Sequence, residues 1–257
     1  DALGAQITTG SSLDLSFVRL RALKTNLSPS LAIYADIVLN PSFPQGMIDL
    51  GKRRRLAQIG QEKAQPVPAA QRVVAPLLFG PGHAYGNPLT GSGFESTVSA
   101  LTRDDLVKWH RDWFHPTNAT LIVTGDVTLA ALMPDLERAF GAWPAGQAPA
   151  KRIQPVPRTT GRRVYLMDRP GAPQSIIVAA HVSEAGGQAE DLAIETVMLN
   201  FGGLATSRLN RNLRLDKHWS YGTSGVLVAA RGQRPFVVVA PVQTDKTKES
   251  IQEIQKE

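Results

Sequence analysis

Cysteine is absent from this chain of 257 residues. That removes disulfides, thiolate metal sites and thiol nucleophiles from consideration. No run of 18 apolar residues exists, so no helix spans a bilayer, and no signal-peptide pattern opens the text. Aromatics make up only 6% of the chain and no nucleic-acid-binding module is recognisable, so the excess of 28 Lys+Arg over 22 Asp+Glu, a net +6, does not argue for nucleic acid. The one basic cluster, GKRRR from Gly51 to Arg55, sits in a helix-like stretch and reads as a solvated face.

Catalytic signatures are missing as well. A zinc peptidase needs H-E-x-x-H or its inversion H-x-x-E-H, because one helical turn is the spacing that puts two imidazoles on one face. Neither string occurs. HVSEA (His181 to Ala185) lacks the second histidine and reads as a strand end. His110 and His115 are five apart, about 140° around a helix, and cannot chelate one ion from a continuous helix. His83, in the turn-rich GPGHAYGNP, reads as a loop-ordering residue. There is no G-x-S-x-G elbow and no P-loop, and GSGFES offers only two glycines of a dinucleotide fingerprint with no strand before it. A Ser-His-Asp triad can assemble from distant residues, and nothing marks one serine for it.

What is present is a globular chain with 42% hydrophobic residues, enough for a substantial core. AGQAPAKRIQPVPRTTGR carries three prolines without apolar periodicity, the composition of a semi-rigid linker. It divides the chain into a first domain over residues 1–145, a linker over 146–162 and a second domain over 163–257. The first domain reads as strands between Ala5 and Leu23, helices over residues 28–39 and 46–64, and a shorter helix from about Pro68. A capped helix follows Thr102, where Asp105 completes a capping-box pattern and Leu101 with Leu106 forms a staple. ATLIVTG then reads as a buried strand before an amphipathic helix. In the second domain RRVYLMD and QSIIVAAHV read as strands, followed by helices over 191–200 and 207–214. SYGTSGVLVAA and RPFVVVAPV form a hairpin through Gly232, and Asp245 is the expected cap of a last helix. The class is therefore α+β: two related domains, each a mainly antiparallel sheet with helices on one face. Both ends read as cuts in a longer protein, whose targeting segment would lie upstream of Asp1.

The order of phrases is more informative than any one of them. ADIVLNPSFP, GHAYGNPLTGS, TRDDLVKWHRDWFHPTNATLIVTGDV and FGAWP come first, then PGAPQSIIVAAHV, NFGGLATSRLNRNLR and SYG. Together they closely resemble the insulinase/pitrilysin zinc peptidases, a group that includes the mitochondrial processing peptidases. The resemblance implies a clamshell of two halves, each half a pair of similar domains, closing around an extended peptide. One half holds zinc through H-x-x-E-H and a further glutamate about 75 residues later. The other is often a metal-free copy that supplies an arginine and a tyrosine.

On that resemblance, Arg214 and Tyr221 of LRLDKHWSYG are the pair that grips the substrate carbonyl across the cleft. Two guanidinium and phenol donors placed ahead of time would stabilise a tetrahedral oxyanion. Taken without the resemblance, Arg214 is a helix-end cation and Tyr221 a strand residue packed on the core. NFGGLA would give backbone freedom near the cleft, or simply stop a helix. The later zinc glutamate should stand about eight residues before Pro66, and that position is Gln58, which cannot supply an anionic oxygen. Glu62 is one turn further on, about 6 Å along the axis. No metal or other cofactor is therefore expected in this chain, and zinc is expected in a catalytic partner half that shares a peptide substrate with it. Three readings follow: a metal-free half supplying Arg214 and Tyr221, an active half whose H-x-x-E-H segment lies upstream, or an inactive peptide-binding or scaffold subunit. A periplasmic setting fits the family and the lack of cysteine.

Overall fold

The computed structural model describes residues 2–157, 161–187 and 189–257. In chain order its first elements are β1 (Gln6–Ser11), β2 (Ser16–Arg21), α1 (Leu27–Leu39), α2 (Gln45–Ala64), α3 (Pro66–Phe79), α4 (Glu95–Ala100), α5 (Arg103–Trp113) and α6 (Leu129–Phe140). Then come β3 (Gln174–Ala185), α7 (Asp191–Met198), the short α8 (Arg208–Asn210), β4 (Ser224–Leu227), β5 (Gln233–Gln243) and α9 (Thr247–Lys256). The class is α+β with antiparallel sheets, as the sequence predicts. Two compact units result, one made of Asp1–Arg54 with Ser96–Lys151, the other of Arg55–Glu95 with Arg152–Glu257. The break at 151/152 falls inside the segment read as a linker, of which residues 158–160 lie outside the described residues. Residues 55–95, by contrast, group with the C-terminal stretch rather than with their neighbours in sequence.

In the first unit β1 and β2 pair as an antiparallel hairpin, Ile7 opposite Leu20 and Thr9 opposite Val18. The Tyr34 phenol of α1 donates to the Val18 carbonyl at 2.9 Å, which docks helix on hairpin. α6 starts because the Thr128 hydroxyl accepts from the Ala131 amide, and it meets α1 through Ser28 to Asp135 at 3.0 Å and the edge-on pair Tyr34 and Phe140. α5 carries the capping box read from TRDD: Thr102 and Asp105 satisfy each other's backbone amides.

The second unit is built on one sheet in the order β3-β5-β4, all antiparallel. β5 is central and buried on both faces, which explains why FVVVAPV is continuously apolar instead of alternating. Val237 and Val239 face Val74 of α3, with Ile176 and Val178 beside them. Ala240 and Val242 face Leu213, Trp219 and Ile254 of α9 on the other side. Helical segments thus cover both faces of this sheet.

Two prolines in a central strand are unusual, since proline offers no ladder N–H. Here they set the length of β4. The Pro235 carbonyl accepts from Val228 at 2.8 Å, so odd-numbered β5 residues direct their hydrogen-bonding groups toward β4. Pro235 and Pro241 stand opposite the positions just beyond the two ends of β4, where their missing amides cost no pairing. The strand predicted over 220–230 is accordingly only four residues long.

Other sequence expectations differ too. The helix after Gln65 begins at Pro66 and runs to Phe79 through Pro76, longer than the short helix expected from Pro68. Asp245 lies within a 3₁₀ turn, and α9 starts without a side-chain cap. ATLIVTG and RRVYLMD are not ladder strands: Ile122 is 82% and Leu166 93% exposed. Their apolar pattern suits a buried strand, but a strand is stabilised by its neighbours, and among the described residues neither segment has one.

Candidate functional site

Arg214 lies in a π-helical turn, Arg211–Asp216, that continues α8. Tyr221 lies seven residues on, in the loop that leads into β4. Between them the chain reverses. The Leu213 carbonyl accepts from both the Trp219 amide at 2.9 Å and the Ser220 amide at 3.2 Å, while His218 adopts φ +57° to make the turn. Leu213 itself is fully buried against Ala240 and Val242, so the turn is anchored from below. Ser220 donates its hydroxyl to the Pro241 carbonyl at 2.6 Å, filling the place that β4 vacates, and accepts from the Gly222 amide. Gln243 adds a bond to the His218 carbonyl.

On this frame Arg214 and Tyr221 both point to solvent. Tyr221 is 91% exposed, so it is not the core-packed strand residue that its sequence position alone allows. Its neighbours Ser220 and Thr223 are buried, so the backbone is held while the phenol is free. Arg214 is exposed at the end of its helical turn, and among the described residues no carboxylate pairs with its guanidinium. An exposed side chain on a fixed backbone suits a group that meets something outside its own unit.

His218 carries a strain that sequence reading missed. A non-glycine residue in the left-handed region costs about 1–2 kcal/mol, and only its Nδ1 contact with the Arg214 carbonyl at 3.1 Å compensates locally. His218→Gly is expected to raise stability by up to about 1 kcal/mol, after the loss of about 0.5–1 kcal/mol to glycine's chain entropy. Urea unfolding of the variant checks this; a lower midpoint would show that the histidine contact outweighs the strain.

NFGGLA ends a helical segment, as one of the two readings expected, but its glycines also have a packing role. α7 continues as a π-helical segment, Leu199–Gly203, and Gly202 has no positive φ. Instead it packs backbone to backbone: a Cβ on Gly202 would sit 2.3 Å from the Gly225 amide nitrogen, and one on Gly225 would sit 2.8 Å from the Phe201 ring. The glycines permit close approach of the helical segment to β4. Gly202→Ala is expected to destabilise the chain by about 1–3 kcal/mol, read as a lower urea midpoint.

A second locus lies at the end of α2. Gln58 is exposed and donates its amide to Glu62 Oε1 at 2.8 Å. Glu62 is buried, and its Oε2 accepts from Arg72 of α3 at 2.7 Å and from the Ser92 hydroxyl at 2.6 Å. Arg72 donates further to the Gly93 carbonyl at 2.8 Å. Burial would raise the Glu62 carboxyl, but the hydrogen bonds from Ser92, Arg72, Thr90 and Gln58 outweigh it and hold the group below its ordinary value.

These residues do not fit zinc. Gln58 is neutral and acts as a donor, and both Glu62 oxygens are occupied by protein donors. Among the described residues no group of three or more His, Cys, Asp or Glu could hold a metal ion. A glutamate at 58 would set a second carboxylate against Glu62, which the network in place disfavours. Three of the five histidines are committed elsewhere. His83 bonds the Gln154 carbonyl at 2.7 Å and accepts from the Tyr85 amide, so it orders a loop. His110 bonds the Val38 carbonyl at 2.8 Å, and His181 stacks on Phe236. No helix is long and apolar enough to cross a membrane among the described residues.

Comparison with known proteins bears on this arrangement. A family profile described as Peptidase M16 inactive domain matches residues 100–257. An uncharacterized zinc protease of Streptomyces coelicolor is 23% identical over 228 residues, covering 86% of this chain and 48% of the relative. One of Mycobacterium tuberculosis is 23% identical over 229 residues, covering 88% of this chain and 51% of the relative. The chain therefore spans about half the length of the curated relatives it matches. Among solved structures, a peptidase M16 inactive domain from Pseudomonas fluorescens superposes with TM-score 0.87 at 21% identity, over 99% of this chain and 61% of that one. A protease from Helicobacter pylori gives TM-score 0.87 at 16% identity, over 99% and 62%. A profile match over more than half of the chain means that this chain belongs to the peptidase M16 family and matches its inactive domain, and a solved inactive domain shares the fold over 99% of this chain.

Proposed function

We propose that this chain is the metal-free half of an M16 zinc peptidase, lining a peptide-binding cleft and presenting Arg214 and Tyr221 to the substrate carbonyl in a catalytic partner half. The observation that carries this reading is the contrast at Tyr221, a phenol 91% exposed on a loop whose backbone is pinned at Leu213, Ser220 and Thr223. In the family reading the partner half would hold zinc, which would supply an activated water. This chain's share is electrostatic. Attack on a peptide carbonyl places negative charge on oxygen, and a guanidinium and a phenol O–H held nearby bind that charge more strongly than they bind the neutral carbonyl, which is the condition for acceleration. The occupied oxygens of Glu62 count against the alternative of an active half, because a ligand at that turn would have to abandon the Arg72 ion pair. The test is peptide cleavage by the full-length protein with its partner half, carrying Arg214→Ala or Tyr221→Phe. Unchanged turnover in both variants would remove the role.

A further inference from the structure

Both side chains of the pair leave the protein surface unsupported by contacts of their own, so their backbone must be held by something else. One buried side chain joins the segment of each. Asn210 is 5% exposed, four residues before Arg214 and eleven before Tyr221. Its Oδ1 accepts from the Thr223 amide at 2.8 Å. Its Nδ2 donates to the Thr223 carbonyl at 2.9 Å, to the Leu204 carbonyl at 2.9 Å and more weakly to the Ser207 hydroxyl at 3.3 Å. A backbone amide can only donate and a carbonyl can only accept, so this orientation of the carboxamide is the one the neighbours dictate.

The geometry has a specific meaning in the sheet. Even-numbered β4 residues pair toward β5, as Val228 does, so Thr223 turns its N–H and C=O to the open edge. Asn210 meets that pair as the peptide group of a neighbouring strand would. It replaces a strand at the one residue that follows Tyr221 and Gly222, and its own backbone belongs to the helix that runs on into Arg214. The link is short and rigid: from Asn210 through Thr223, two residues reach Tyr221. The two segments are also joined through the main chain, by the Trp219 and Ser220 amides on the Leu213 carbonyl, whereas the other side-chain supports act on one side of the pair. Asn212 ties the Arg214 turn to Glu253 and Glu257 at 2.8 and 2.9 Å, and Ser220 ties the Tyr221 loop to β5.

We infer that Asn210 is a positioning residue that sets Tyr221 at a fixed place relative to Arg214, so that both donors reach one carbonyl oxygen. This rests on the function proposed above. A donor displaced by about 1 Å loses on the order of 100-fold in rate, so loss of the Asn210 clamp acts on turnover more than on substrate binding.

The experiment is a double-mutant cycle in the full-length protein with its partner half, with kcat and KM measured on a fluorogenic peptide. Asn210→Ala is expected to lower kcat by about 10–100-fold at little change in KM. On a Tyr221→Phe background the same change should cost less than about twofold, because the group it positions is already gone. An equal loss on both backgrounds, or no loss on either, would overturn the inference while leaving the role of Tyr221 standing. If Tyr221→Phe alone leaves kcat/KM unchanged, the proposed function fails, and a loss from Asn210→Ala then belongs to some other cause. Where the alanine chain does not fold, Asn210→Asp replaces it, keeping the side-chain volume and the acceptor for Thr223 while removing both N–H donors. If the aspartate chain does not fold either, Asn210 is a folding residue and the assignment is overturned.

Discussion

Tyr221→Phe is expected to cut kcat of the assembled peptidase by roughly 10²–10³, the usual cost of one lost donor to a developing oxyanion. The substitution is informative because it removes one oxygen and nothing else. With the ring 91% exposed and its hydroxyl in no hydrogen bond among the described residues, folding stability should change by less than about 0.5 kcal/mol. A rate loss without a stability loss can only come from something the ring meets outside its own unit. Arg214→Ala is expected to cost a similar factor, and Arg214→Lys to recover part of it, since lysine keeps the charge but not the planar pair of donors. On the proposed reading both donors serve one oxygen, so their losses should not add. A fall in KM-dependent binding alone, at constant kcat, would place the pair in peptide capture and not in rate acceleration.

The second large effect concerns stability. Arg72→Met leaves Glu62 buried without its cation, a change that costs about 3–5 kcal/mol at neutral pH. The pH dependence carries a sign. In the native chain the Glu62 carboxyl lies below its ordinary value, so its contribution is present above the unfolded value of about 4.3 and is lost as pH falls through the lower folded value. Without Arg72 the burial remains and the main cation is gone, which pushes the carboxyl upward and reverses the slope. The gap between native and variant stability should therefore narrow as pH falls through the carboxylate range. Urea midpoints at pH 7 and in that range check this; a gap that stays constant would mean that Glu62 stays ionised in the variant through Ser92 and Gln58. Glu62→Gln added to Arg72→Met should restore part of the loss, since no charge is then buried.

The same two loci show what can be read from residues alone. The capping box at Thr102 and Asp105 and the strand alternation of residues 6–21 are local patterns, and each matches its element because the cause lies within a few residues. The departures have causes farther away. β4 is short because of prolines in another strand, α3 is long because its apolar face meets β3 and β5, and ATLIVTG lacks a partner to make it a strand. At the candidate site the sequence carried the identity and order of Arg214 and Tyr221 and the neutral side chain at Gln58. It carried no sign that Asn210 stands in for a strand, that His218 turns the chain at positive φ, or that Gln58 donates to Glu62.

Family membership and the α+β class were thus settled by sequence, since they depend on order and local periodicity that survive at low identity. Which side chains are exposed and which are tied down was decided only in three dimensions. The Glu62 and Arg72 pair joins residues ten apart, and the Tyr221 loop hangs on Asn210, Ser220 and β5. Exposure and hydrogen bonding are properties of what surrounds a residue, and those surroundings are assembled from segments that the linear text keeps apart.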